Sequence, residues 1–157
     1  MCGWWAGLRL SEAWQLRWKE SEHFPWLDLP NNRIVLPATF AKSAEDQSVP
    51  LHANLRKALG RLDCEGERVF EFLRCDGSGP ITRHGITSRI GDFARRAGVK
   101  LSMHRLRKGF GCRIAKQLGK GNAPVLHSLM RHSSMQITMD FYASVDDALQ
   151  DAMKKLK

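Results

Sequence analysis

The clearest hydrophobic pattern lies in residues 101–118, where the spacing predicts an amphipathic helix. Apolar residues recur there every four positions, at Leu106, Phe110, Ile114 and Leu118. This period places them along one face of a helix. Ser102 precedes that face and is suited to cap the helix N-terminus. Gly109 and Gly111 each cost about 1 kcal/mol relative to alanine in a helix interior, so their presence predicts that another part of the chain packs closely here.

Similar patterns predict helices over most of the remaining chain. Residues 7–18 contain the first of them. A later helix starts at Thr82 or Thr87 and runs to about residue 97. Another starts after Ser134 and carries Tyr142, the single tyrosine of the chain. The other predicted helices cover residues 52–62, 125–130 and 146–157.

Short apolar runs in the first third of the chain predict a small antiparallel sheet. One candidate strand lies within residues 18–26, and the other two are residues 33–36 and 48–51. Residues 30–32 form a turn signal between the first two strands, and residues 37–47 form a polar loop before the third. A further run, residues 69–73, is either a strand or an extended segment on the core. The sequence therefore predicts one α+β, mainly α domain with a small antiparallel sheet near its N-terminus.

The charge of the chain narrows the class of partner. The 157 residues have a net charge of +9 and a pI near 9.8. From Phe93 to Met139 there is no acidic residue. The basic residues of this span are Arg95, Arg96, Lys100, Arg105, Arg107, Lys108, Arg113, Lys116, Lys120 and Arg131. A positive field of this kind favours a polyanionic partner, and double-stranded DNA is the simplest.

The cysteines and the N-terminal segment exclude other classes of protein. Cys2, Cys64, Cys75 and Cys112 form no Cys-x-x-Cys pair and do not lie near a regular histidine pair. The spacing therefore argues against a metal site and against a disulfide framework. The apolar start of the chain is interrupted by Arg9, too early for a signal peptide or a membrane span. We expect a cytoplasmic protein without a membrane partner.

Six residues carry side chains that could together act on a phosphodiester: Arg9, Lys42, His104, Arg107, His132 and Tyr142. Taken singly, each is more often a plain surface or core residue. Two arginines can hold a phosphate through bidentate contacts, and Glu12 can fix the Arg9 guanidinium. Histidines add hydrogen bonds and proton transfer, a lysine on the 37–47 loop can protonate a leaving oxygen, and a tyrosine can attack phosphorus. Fixed cations can replace Mg²⁺, so no cofactor is expected.

The order and local sequence of these residues resemble the catalytic domain of the tyrosine recombinase, or phage integrase, family. Four boxes carry the resemblance: Gly7-Leu-Arg-Leu-Ser-Glu for the first arginine, Lys42-Ser43 with Val49-Pro-Leu51 for the hairpin lysine, His104-Arg-Leu-Arg107 for the His-x-x-Arg box, and Leu129-Met-Arg-His-Ser-Ser with Thr138 and Tyr142 for the histidine and nucleophile segment. The resemblance covers essentially the whole chain. One departure is Arg131, because the family often has glycine at that position.

The resemblance implies a site-specific recombinase that cleaves and rejoins DNA without a metal. Tyr142 would attack a DNA phosphodiester, form a 3′-phosphotyrosyl bond and free a 5′-hydroxyl. The other implied roles are phosphate binding by Arg9, Arg107 and His132, protonation of the 5′ oxygen by Lys42, and proton transfer and phosphate positioning by His104. The residues expected to contact DNA are Arg95, Arg96, Arg105, Lys108 and Arg131.

The resemblance also implies a domain organisation and partners. Family members usually carry an N-terminal DNA-binding domain, whereas Arg9 lies almost at the start of this chain. We expect residues 1–157 to be a catalytic domain truncated at its N-terminus, without the core-binding domain. Other recombinase subunits are expected as partners, in a tetramer on DNA, through residues 146–157. Three alternatives stay open: a type IB topoisomerase-like enzyme, a metal-dependent nuclease, and an inactive DNA-binding remnant of an integrase.

Overall fold

The computed structural model describes residues 1–41, 44–62, 64–71 and 81–143. Within these ranges the helices are α1 (Cys2–Trp5), α2 (Leu10–Trp14), α3 (Ala38–Ala41), α4 (Ala53–Leu59), α5 (Arg83–Arg96), α6 (Met103–Leu118), α7 (Ala123–Met130) and α8 (135–143), and the strands are β1 (Trp26–Asp28), β2 (Arg33–Leu36) and β3 (Gln47–Pro50). The predicted mainly helical α+β fold is confirmed. Lys42, Cys75, the end of the 69–73 run and the helix predicted over residues 146–157 lie outside the described residues.

The three strands form an antiparallel sheet in the order β1-β2-β3. Ile34 on the central strand faces Val49, and both side chains are buried. The first strand begins at Trp26, the last residue of the 18–26 segment that is predicted to hold a strand, and it continues to Asp28. It begins no earlier because the Ser21 hydroxyl accepts hydrogen bonds from the backbone of His23 and Phe24 and folds that segment into a turn.

The polar loop predicted over residues 37–47 contains the short helix α3, so the prediction of irregular structure throughout is wrong there. The backbone N–H of Ala38, in the first turn of α3, donates to Asp46 Oδ1 at 2.8 Å. A carboxylate from the far side of the loop thus satisfies a donor that the helix leaves free. The predicted caps Thr82 and Ser102 are present, since their hydroxyls accept from the backbone of Gly85 and Arg105.

Two apolar clusters hold the described elements together. The first joins α1, α2, the sheet and α4 through buried residues that include Leu8, Leu16, Ile34, Leu36 and Leu55. The second joins α6, α7 and α8 through Phe110, Ala115, Ala123, Leu126, Met130 and Tyr142. Helix α6 contacts both α1 and α7. Helix α6 therefore connects the two clusters. Met103, its first residue, packs against the first cluster, and Phe110 belongs to the second.

Gly109 and Gly111 allow the close approach to α6 that the sequence predicted. A Cβ atom on Gly109 would lie 2.6 Å from Trp4 Cζ3 in α1, and one on Gly111 would lie 2.4 Å from Phe141 Cε1 in α8. Both distances are shorter than van der Waals contact, so any larger residue would push a neighbouring ring away. The glycines therefore set how closely the flanking helices pack on α6.

Gly111→Ala is expected to lower the free energy of unfolding by about 1–3 kcal/mol, although alanine is the better helix former. The matched control is Gly91→Ala in α5, where a Cβ would meet nothing within 4 Å. This control is expected to raise the same free energy by about 0.5–1 kcal/mol. Urea denaturation of the two variants measures both changes. Equal stabilities for the two variants would show that α8 does not pack on α6 in this way.

Candidate active site

Four of the six predicted reactive residues line one cleft of about 620 Å³: Arg9, His104, Arg107 and His132. They come from the start of α2, the first turns of α6 and the segment after α7. Arg83 and Thr87 of helix α5 also line this cleft. Sequence reasoning did not select these two residues, since a charged first turn of a helix is usually only solvated. The cleft therefore gathers four predicted residues that are separated by up to 123 positions in the sequence.

Arg9 is held in place by Glu12, as the sequence suggested. Its backbone N–H donates to Glu12 Oε2 at 2.6 Å and its Nη1 donates to Glu12 Oε1 at 2.7 Å. A third bond runs from Nη2 to the carbonyl of Arg131 at 3.0 Å. The Arg9 side chain is 48% exposed, so a fixed guanidinium edge faces the cleft.

Arg107 ties the segment before α2 to the end of α7 beneath the cleft. Its Nη1 donates to the carbonyl of Gly7 and its Nη2 donates to the carbonyl of Met130. Burial, with the charges of Arg131 and Arg9, lowers the pKa of Arg107 to about 10. The guanidinium therefore stays protonated at neutral pH, and it supplies a permanent positive charge at the floor of the cleft.

Arg131 does not occupy the exposed position expected of a DNA contact. Its side chain is only 3% exposed, and its Nη2 donates to Glu12 Oε2 at 2.7 Å. Nη1 donates to the carbonyl of Leu129. The backbone of Arg131 is left-handed, with φ of 51°, a conformation that favours glycine. The buried carboxylate of Glu12 explains the inward orientation, because it needs a cationic partner.

Glu12 is the common partner of the two arginines. Burial alone would raise the pKa of Glu12, but the charges of Arg131 and Arg9 and the hydrogen bonds from Arg9 outweigh it and hold that pKa below its usual value. Glu12 therefore stays ionised and joins the turn that carries Arg9 to the segment that carries His132.

The imidazole ring of His132 lines the cleft and is held in place by two contacts. Its Nδ1 lies 2.9 Å from Thr138 Oγ1, and its ring stacks on Phe141 with centroids 5.3 Å apart. Burial lowers the pKa of His132 to about 4, with further contributions from Arg107, His127 and the other nearby arginines. His132 is therefore neutral at physiological pH. Sequence reasoning missed His127, which had no local signal beyond being one of six histidines.

Tyr142 is separated from the other described members of the predicted set. It is 3% exposed and belongs to the apolar cluster between α6, α7 and α8. Its hydroxyl makes no hydrogen bond with a residue in the described ranges, and it does not line the cleft. Burial raises the pKa of Tyr142. The structure thus shows a cleft lined by basic residues, with the candidate nucleophile buried in the neighbouring apolar cluster.

The remaining predicted DNA contacts lie on the surface. Arg95, Arg96, Arg105 and Lys108 are exposed, and Arg95 pairs with Asp92 at 3.0 Å. Among the described residues, no cluster of three or more His, Cys, Asp or Glu side chains could hold a metal ion. None of the described helices has the length and apolar character needed to cross a membrane.

Solved structures share this fold. XerA recombinase superposes with a TM-score of 0.69 at 21% identity, over 98% of this chain and 55% of that one. The Tn1549 transposon integrase, solved with a circular intermediate DNA, gives a TM-score of 0.67 at 19% identity, over 98% and 56%. An integrase from mycobacterium phage Brujita gives 0.60 at 26% identity, over 83% and 40%. The chain thus spans about half the length of the first two.

Sequence comparison gives the family. None of the curated proteins matches the chain significantly. The family model described as "Phage integrase family" matches residues 4–148, which is nearly the whole chain and includes all the boxes that carried the resemblance. The chain therefore belongs to the phage integrase family.

Proposed function

We propose that this chain is the catalytic domain of a site-specific recombinase that cleaves and rejoins double-stranded DNA through a 3′-phosphotyrosyl intermediate. One observation carries the proposal: Arg9, His104, Arg107 and His132 converge on a single cleft beside the helix that bears Tyr142. A phosphodiester is a monoanion with two non-bridging oxygens, and this cleft offers it fixed cations and hydrogen-bond donors. Family membership supports the same assignment.

Each cleft residue has its own proposed role at the phosphate. Arg9 presents a fixed guanidinium edge to one non-bridging oxygen, and His132 presents a neutral ring to another. Arg107 adds charge from below. His104 lies exposed in the first turn of α6, one turn before Arg107, where it can position the phosphate and assist proton transfer. These groups stabilise the charge of the transition state without a metal ion.

The reaction exchanges one phosphoester for another. The Tyr142 hydroxyl gives its proton to His104 and its oxygen forms a bond to phosphorus. The bond between phosphorus and the 5′ oxygen breaks, and a 5′-hydroxyl leaves with a proton that Lys42 supplies. The reverse reaction, with a different 5′-hydroxyl, rejoins the strand. No ATP is required because the energy of the phosphoester is conserved in the phosphotyrosyl bond.

Attack requires Tyr142 to leave the apolar cluster. A buried hydroxyl without a partner costs about 1–3 kcal/mol. Exposing the ring to solvent removes this cost, which offsets part of the free energy lost when the apolar ring leaves the core. Near the cleft, the positive charges of Arg9 and Arg107 would favour the phenolate, whereas the core disfavours it. We propose that DNA binding shifts the end of α8 that follows Thr138, and with it Tyr142, from the core to the cleft.

The partners in this proposal are DNA and other subunits. The exposed Arg95, Arg96, Arg105 and Lys108 contribute to binding the DNA backbone, and the resulting affinity falls with rising salt concentration. Residues 146–157 are the proposed contact to neighbouring subunits. The proposal gives Arg131 no direct contact with the DNA backbone, because its side chain is internal and pairs with Glu12.

A trapping experiment tests the proposed activity. The chain is incubated with a nicked duplex in EDTA, and the products are separated in SDS. We expect a DNA–protein adduct that forms equally well with and without EDTA. Binding of the duplex without any adduct would support the alternative, an inactive DNA-binding remnant. Cleavage that EDTA abolishes would show a metal-dependent nuclease.

A further inference from the structure

The hydroxyl of Thr138 lies between two histidine rings. Thr138 Oγ1 is 2.9 Å from Nδ1 of His132 and 3.1 Å from Nδ1 of His127. The Thr138 side chain is fully buried, with 0% exposure. The three groups come from α7, from the segment that follows it and from α8. The contact therefore connects a cleft residue to one that lies outside the cleft.

The chemistry of a hydroxyl couples the two rings. A threonine hydroxyl has one proton to donate and can accept hydrogen bonds on its oxygen. It can therefore donate to one imidazole Nδ1 only, and any second Nδ1 that bonds to it must carry a proton. When His132 Nδ1 accepts from Thr138, the bond from His127 must be donated by a protonated His127 Nδ1. The proton positions on the two rings are thus not independent.

The position of the proton on His132 decides what the ring offers to the cleft. A neutral imidazole carries its proton on one nitrogen and a lone pair on the other. Nδ1 is occupied by Thr138, and Nε2 bonds to no residue among those described. The His132 ring lines the cleft together with Arg9 and Arg107. Nε2 is therefore the nitrogen available to a bound anion, as a donor in one tautomer and as a repelling lone pair in the other.

We propose that His127 and Thr138 are positioning residues that hold His132 in the neutral tautomer with its proton on Nε2 when a phosphodiester occupies the cleft. His127 Nδ1–H donates to Thr138 Oγ1, the Thr138 hydroxyl donates to His132 Nδ1, and His132 Nε2–H donates to a non-bridging oxygen. No proton is gained or lost in this chain of bonds. The inference rests on the proposed function, because it assigns the phosphate as the anion that selects this arrangement.

The surroundings of His132 support a neutral ring. The charged and titratable groups that face it are Arg107, His127, Arg9 and Arg131, and each disfavours a second proton on the imidazole. Neutral His132 can donate to the phosphate through Nε2 only. Because Thr138 already occupies Nδ1 of His132, the ring needs little reorganisation when the phosphate selects the tautomer with the proton on Nε2.

Histidine ring-nitrogen NMR on the full chain tests this arrangement directly. The protein is labelled with ¹⁵N-histidine, and spectra are recorded at neutral pH with and without a short DNA duplex. With the duplex we expect His132 neutral, with its proton on Nε2 and with Nδ1 as acceptor. Thr138→Val removes the hydroxyl with little change of shape and is expected to give a mixture of His132 tautomers. Thr138→Ser keeps the hydroxyl and is expected to restore the wild-type spectrum.

Kinetics add a readout that separates positioning from folding. Thr138→Val and His127→Phe are each expected to slow adduct formation by about tenfold, the value of one hydrogen bond, with little change in DNA affinity. Thr138→Ser is expected to recover most of the rate. The proposal is overturned if DNA-bound wild-type His132 carries its proton on Nδ1, or if the tautomer is the same in Thr138→Val. Because the spectra do not depend on cleavage, an inactive wild type with the expected His132 tautomer would refute the proposed function alone.

Discussion

Tyr142→Phe is expected to abolish the covalent DNA adduct and, at the same time, to stabilise the fold. The loss of activity follows because the phenol oxygen is the proposed nucleophile and phenylalanine has none. The gain in stability follows because the hydroxyl is buried without a hydrogen bond to the described residues. Removing such a group recovers part of its desolvation cost, about 1 kcal/mol or more.

Two measurements on the same variant check these effects. SDS-resistant adducts on nicked DNA are expected to fall below detection, while a gel-shift assay shows unchanged DNA binding. Urea denaturation is expected to show a higher free energy of unfolding than for the wild type. An adduct that persists in Tyr142→Phe would remove Tyr142 as the nucleophile. A clear loss of stability would show that the hydroxyl has a partner in the folded chain.

Glu12→Gln is expected to destabilise the protein by about 3–5 kcal/mol, since it leaves the buried Arg131 guanidinium without its countercharge. The carboxylate is 7% exposed and the Arg131 side chain 3% exposed, so water cannot replace the lost charge. Arg9 would also lose its anchor, because the same carboxylate fixes its guanidinium. We therefore expect weaker phosphate binding in addition to lower stability.

A matched control separates burial from simple charge removal. Asp92 pairs with Arg95 in α5, and these side chains are 49% and 79% exposed. Asp92→Asn is expected to change the free energy of unfolding by less than about 1 kcal/mol. Similar losses for Glu12→Gln and Asp92→Asn would show that the Glu12–Arg131 pair is not buried.

The pH dependence of unfolding gives an independent check on Glu12. The folded pKa of Glu12 lies below its usual value of 4.5, so the unfolded chain takes up a proton there before the folded chain does. Its stabilising contribution is therefore complete above the unfolded pKa and is lost as the pH falls through the folded pKa. His132 acts in the same direction at higher pH, because its folded pKa is about 4 against 6.5. The free energy of unfolding should fall as the pH drops below about 6.5. In Glu12→Gln it should depend less on pH below 4.5 than in the wild type.

The sequence predicted those features that depend on local spacing. Helix α6 begins directly after its predicted cap Ser102 and ends at Leu118, because a four-residue apolar period and a capping hydroxyl are both local signals. The order of the arginine and histidine boxes predicted which residues belong together, and the structure places Arg9, His104, Arg107 and His132 on one cleft. Their proposed roles rest on that arrangement.

Features that depend on distant partners could not be predicted. Arg131 looks like one more exposed cation in a basic span, since its partner Glu12 is 119 positions away. The burial of Tyr142 depends on Leu126 and Met130 of α7 and on Phe110 of α6, and no local pattern shows that these surfaces meet. The bond between Thr138 and His127 likewise requires α7 and α8 to pack together.

The position and polarity of the covalent bond test the central claim most directly. The chain is trapped on a nicked duplex whose scissile phosphate is labelled, and the adduct is digested with trypsin. Residues 132–154 form one tryptic peptide, and Tyr142 is its single tyrosine and the single tyrosine of the chain. We expect the labelled phosphate on this peptide, bonded to Tyr142 and to the 3′ end of the cleaved strand. A bond to any other residue, or to the 5′ end, would contradict the account.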